Sequence, residues 1–118
     1  MKNKNHFNYT KACRKRTGLS QSELAFLMGM KSSSFICRTE LGNEISSLSK
    51  ALSYNILYDK QMPKLFPELS IKVAMQIFSR IAKLSSQLEK QTTTPLSRKK
   101  IETLEKMAIR IASKYKNI

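Results

Sequence analysis

Apolar residues in this chain recur at three- and four-residue intervals, and no stretch alternates apolar with polar residues as a half-buried strand would. The pattern predicts an all-α protein. Up to Pro67 the apolar runs are short. A first helix is expected from about Phe7 to Arg16, closed by Thr17 and by Gly18, which offers the left-handed backbone of a C-cap. Ser20 and Glu23 have capping-box spacing, and the helix they open carries Leu24, Ala25 and Met28 on one face and stops at Gly29. A third helix begins among Ser32, Ser33 and Ser34, runs through Ile36 and Arg38 to Leu41, and halts at Gly42. A fourth starts at Ser46 or Ser47, with Leu48, Ala51, Leu52 and Ile56 at helical spacing. A short fifth covers Met62 to Phe66, with Pro63 in its first turn and Pro67 at its end.

Beyond Pro67 the stripes lengthen. From Ser70 to about Gln91, Ile71, Ala74, Ile77, Phe78, Ile81, Leu84 and Leu88 make one continuous apolar line. At about 1.5 Å per residue this is a rod of roughly 30 Å. Thr94 and Pro95 open a last helix that places Ile101, Leu104, Ala108, Ile111, Ala112 and Tyr115 on one side. Two striped helices joined by the polar segment QTTTP are expected to fold back as a hairpin. The expected division is a five-helix unit over residues 1–69 and a C-terminal two-helix hairpin over 70–118.

Composition narrows the function. A chain of 118 residues suits one compact unit with an extension. Its 22 Lys and Arg against 8 Asp and Glu give a net charge of +14. Residues 1–69 hold eleven cations against five acids, net +6; residues 70–118 hold eleven against three, net +8. Such an excess attracts polyanions, with nucleic acid the leading class, although lysines on solvated helix faces also serve solubility alone. The start of the chain lacks a signal-like apolar core and no window approaches the ~20 apolar residues of a membrane span, so a cytoplasmic location is expected. Cys13 and Cys37 stand far apart with no CxxC, and His6 is the only histidine, which argues against a metal site and offers no cofactor motif. A disulfide between the two cysteines and two reduced packing residues are both open. Paired carboxylates, Cys–His or Ser–His arrangements and a phosphate-cradling glycine loop are all missing, so an enzyme is not expected.

One stretch carries specific chemistry. Residues 19–42 read LSQSELAFLMGMKSSSFICRTELG: two short helical patterns either side of Gly29, the arrangement of a helix-turn-helix unit. LSQSELA, Gly29, ICRTELG and the downstream SSLSKALSYNILYDKQMPKLFPEL together resemble the Cro/cI-repressor-like, or XRE-type, family over about Thr10 to Leu69. The resemblance implies a five-helix lambda-repressor-like domain that binds double-stranded DNA sequence-specifically, as a homodimer, and represses transcription. It implies that Gln21 contacts a phosphate or orients a base-contacting side chain. Ser33, Ser34 and Arg38 match positions that read base edges or nearby phosphates; Ser32 belongs to the same DNA-facing serine cluster, Lys31 adds a charge at the rim, and Asn43 is placed to reach the backbone. The segment from Gly29 to Ile36 is slightly longer than in the commonest members, which leaves the N-cap open among Lys31 to Ser34.

The chemistry of these residues agrees with that use, because an arginine fork bonds both acceptors of guanine, and serine hydroxyls with free helix N–H groups suit phosphate oxygens. Each also has a plainer reading. The serines form a capping cluster, Arg38 pairs with a nearby acid, and Gln21 is an ordinary early helical residue. Arg14 and Glu40 match positions where the family forms a partly buried ion pair. Phe26 and Leu27 fall on a face that is usually polar there, so they are either exposed or covered by something apolar, the C-terminal hairpin being the expected cover and a dimer partner the alternative. The C-terminal hairpin is expected to dimerise or to bind a partner protein. In the competing reading the chain is an antitoxin or phage-type modulator whose hairpin holds an acidic partner and whose DNA module only autoregulates.

Overall fold

A computed structural model describes residues 7–115. Among them are seven helices and no strand: α1 (Thr10–Thr17), α2 (Gln21–Leu27), α3 (Ser34–Glu40), α4 (Leu48–Tyr58), α5 (Met62–Leu65), α6 (Pro67–Glu89) and α7 (Pro95–Lys114). The protein is all-α. His6 lies outside the described residues. The chain divides into two compact units, the first ending at Ser70 and the second starting at Ile71.

Local chemistry sets most of the helix ends. At α2 the capping box is complete: the Glu23 amide donates to Ser20 Oγ at 3.0 Å, and the Ser20 amide donates to Glu23 Oε1 at 2.8 Å. Such a cap contributes about 1 kcal/mol, which a seven-residue helix needs because short helices do not persist alone. Thr94 caps α7 in the same reciprocal way with Ser97. Gly18 ends α1 at φ +81°, a conformation costly for any residue with a side chain.

Two boundaries depart from the sequence pattern. α1 starts at Thr10 and not near Phe7, because the segment ahead of it is bonded elsewhere. The Tyr9 amide donates to the Leu65 carbonyl at 2.8 Å, and Asn8 Nδ2 donates to the Thr39 carbonyl at 2.9 Å. Likewise α6 opens on Pro67 and not at Ser70. Phe66 closes α5 through its amide and receives the Ser70 amide on its carbonyl, so the proline occupies a first turn where its missing N–H costs nothing.

The core of the first unit is built from Cys13 of α1, Leu24 and Ala25 of α2, Phe35 and Ile36 of α3, Tyr54 of α4 and Leu65 of α5. Cys13 and Cys37 are both free thiols. Helix α4 turns an unexpected face inward. Tyr54 is fully buried beside Tyr58 and Phe66, with ring centroids 5.8 and 6.1 Å away, whereas Leu48, Leu52 and Ile56 are exposed. Of the stripe legible in sequence only Ala51 is half-buried; the inward side of α4 is supplied by the aromatic area of Tyr54 and Tyr58. Phe26 is 80% exposed, and Leu27 is exposed as well.

Burial shifts the tyrosine hydroxyls. It pushes Tyr54 up to about 12, and burial followed by the neighbouring Tyr54 raises Tyr58 too. A raised folded value means that the neutral hydroxyls stabilise the fold fully below the ordinary tyrosine value of about 10, and that this contribution is lost as pH climbs through about 12. Thermal unfolding midpoints should therefore fall steeply over that window. Tyr54→Phe should flatten the fall, and a midpoint insensitive to pH there would remove these hydroxyls from the stability balance.

In the second unit, Ala74, Ile81 and Leu88 of α6 are buried, with residues 71, 78 and 85 half-buried between them. On α7 and its C-cap the least exposed positions are 97, 101, 104, 108, 111 and 115. Both series alternate three- and four-residue steps, the narrow seam of a coiled coil. Ile77, Leu84 and Ala112, which the broader stripes included, fall beside the seam and are exposed. No helix among the described residues is long and apolar enough to cross a membrane.

Candidate nucleic-acid interface

Helix α3 has two sides. Phe35, Ile36 and Thr39 are buried, while Ser34, Arg38 and Leu41 are exposed at four- and three-residue steps along the opposite side. Lys31 and Ser32, ahead of the helix, are exposed too. Ser33 occupies the N-cap position without a side-chain cap. The neighbouring Ser32 Oγ takes the Ser34 amide at 3.4 Å and lies 3.3 Å from Ser34 Oγ. The serine cluster is thus partly used in starting the helix, which leaves Ser34 on the open side.

One carboxylate joins three helices. Glu40, at the end of α3 and 2% exposed, accepts from Arg14 Nε at 2.6 Å and from Arg14 Nη2 at 3.0 Å. Arg14, 11% exposed, also donates from Nη1 to the Leu19 carbonyl at 3.0 Å. The Glu40 hydrogen bond raises the Arg14 pKa, outweighing the opposing effect of burial, so the guanidinium stays charged. Gln21 completes the cluster: its Nε2 donates to Glu40 Oε1 at 3.0 Å. Glu40 therefore ties α1 and the first residue of α2 to the end of α3.

Arg38 sits differently. Its Nε donates to Glu44 Oε1 at 2.8 Å, but the two side chains are 51% and 35% exposed. Exposed pairs of this kind contribute about 0 to 1 kcal/mol, so a stronger acceptor can displace Glu44. Asn43, half-buried, follows α3 and donates its amide to the Arg38 carbonyl at 2.9 Å. Lys50 of α4 rests over the Phe35 ring, 4.8 Å from its centroid.

Of the residues singled out from sequence, Lys31, Ser32, Ser34 and Arg38 are exposed on and ahead of α3, Ser33 and Asn43 are half-buried at its two ends, and Gln21 is held by the Arg14–Glu40 pair. Glu44, as the partner of Arg38, and Asn8, as a tie to α3, were not legible, since each meets a partner outside the periodic pattern. No group of His, Cys, Asp and Glu among the described residues is placed to hold a metal ion. No family model, curated protein or solved structure matches the chain.

Proposed function

We propose that this protein is a sequence-specific DNA-binding regulator of the Cro/cI-repressor type, a dimeric repressor that blocks access to a promoter. In this reading α1 to α5 are the helix-turn-helix domain, α2 braces against the phosphate backbone, and α3 enters the major groove. The C-terminal pair α6 and α7 forms the hairpin. The observation that carries the proposal is the pairing of α2 and α3 by the Arg14–Glu40–Gln21 cluster, with Ser34 and Arg38 on the open side of α3 and Lys31 exposed ahead of it. Arg38 supplies the fork for a guanine, and Lys31 and Ser34 meet phosphates.

One such module reads few bases, so two copies are needed to span half-sites roughly 34 Å apart. In a two-fold contact each surface meets itself, and a strongly cationic surface is repelled. The α4 stripe of Leu48, Leu52 and Ile56, preceded by exposed Ile45, avoids that penalty. The only charged residue of α4, Lys50, is held over Phe35 instead. The stripe is the face that best suits a second copy. Leu52→Glu should give a monomer in sedimentation, and an unchanged dimer would move the contact elsewhere.

Selection of bound sequences from random duplex DNA, repeated at several salt concentrations, tests the main proposal. A two-fold-symmetric site with affinity falling steeply in salt is expected. Weak binding without sequence preference would defeat it.

A further inference from the structure

The second unit has two unlike flanks. Helical register beside the α6 seam places Val73, Ile77 and Leu84 on one flank, and beside the α7 seam it places Leu96 and Met107 on the matching flank. All five are exposed. That the two flanks adjoin is shown by a groove of about 400 Å³ between the helices, walled by Leu84, Leu88, Leu96 and Leu104, with Lys99 and Lys100 beside it.

Charge is sorted in the same way. Arg80, Lys100, Arg110 and Lys114 lie along this flank by register, all exposed. The three acids of the second unit, Glu89, Glu102 and Glu105, fall toward the other flank or the back of their helices. Among the described residues none of those four cations enters an ion pair. The result is a largely apolar groove with Lys99, Lys100 and Thr103 in its wall, on a flank whose charged residues are cations.

We propose that this groove on α6 and α7 docks an amphipathic helix of a partner protein, with apolar side chains in the groove and acidic residues against the lysines and arginines beside it. A second copy of this chain does not fit, since a symmetric contact would set cations against cations. Duplex DNA would satisfy the cations but leave five apolar side chains facing phosphates. A flat bilayer would not fill a concavity, whereas the ridge of a helix does. The inference is independent of DNA reading by α3.

The test uses the intact protein and three fluorescein-labelled synthetic helices of about 18 residues, roughly five turns. The first carries leucines at three-and-four spacing with glutamates elsewhere, the second has the same residues in shuffled order, and the third has lysines in place of the glutamates. The first should bind at least about tenfold more tightly than the second, and the third should not bind. Leu84→Ser and Lys100→Glu should each weaken the first by about tenfold. Both side chains are exposed, so the fold should survive, as circular dichroism will show. If Leu84→Ser loses helicity, Arg110→Glu supplies the same readout. Equal binding of the shuffled peptide, or unchanged binding by these variants, would overturn the proposal. So would tighter binding to phosphatidylglycerol vesicles or to a random-sequence duplex that the same substitutions abolish. Because α3 is untouched, operator binding by these variants separates failure here from failure of the DNA reading.

Discussion

Glu40→Ala is expected to destabilise the protein by about 3 to 5 kcal/mol, read as a shift in the midpoint of urea unfolding. The Glu40 carboxylate is 2% exposed and takes both forks of the Arg14 guanidinium as well as the Gln21 amide. Removing it strands a cation that is itself only 11% exposed, and an unpaired buried charge costs far more than the pair contributes. Small domains have total stabilities of about 5 to 15 kcal/mol, so much of the population should unfold on warming. The double variant Arg14→Met with Glu40→Leu should recover most of the loss, since neither charge is then stranded. A single variant as stable as the parent would show that the cluster does not hold α1, α2 and α3 together.

Arg38→Ala is expected to leave stability nearly unchanged while erasing preference at one base pair of the selected site, a loss of about 1 to 3 kcal/mol in discrimination. The asymmetry follows from exposure: Arg38 and Glu44 form a surface pair of little energetic weight, in contrast to Arg14 and Glu40. Glu44→Gln should act in the opposite direction, tightening binding by freeing the guanidinium and removing a negative charge near the phosphates. Selection experiments on the two variants distinguish the roles. If Arg38→Ala keeps the full sequence preference, Arg38 does not read a base.

The contrast between these two arginines shows how far the sequence could be read. Arg14 and Glu40 match positions that the family pattern pairs, and they meet in the structure. The family pattern gives Gln21 either a phosphate contact or the orienting of a base-contacting side chain, and in the structure its Nε2 donates to Glu40, a partner nineteen positions away that no local spacing reveals. Ser34 and Arg38 share the exposed side of α3 because Phe35, Ile36 and Thr39 take the inward side, a division that the packing of the core settles.

Legible in the chain without any tertiary contact are the all-helical class and the local stops and starts: Ser20 with Glu23, Thr94 with Pro95, and glycines at the helix ends. Those features are bonds and backbone preferences within a few residues, so both partners lie in the same short stretch of text. Tertiary structure alone decided which side of α4 enters the core, why α1 waits until Thr10, and why Ile77 and Leu84 stay outside the α6 seam. Periodicity shows that a helix has an apolar side, but several sides compete for a limited interior. The winner is set by the area and shape that distant residues present to it.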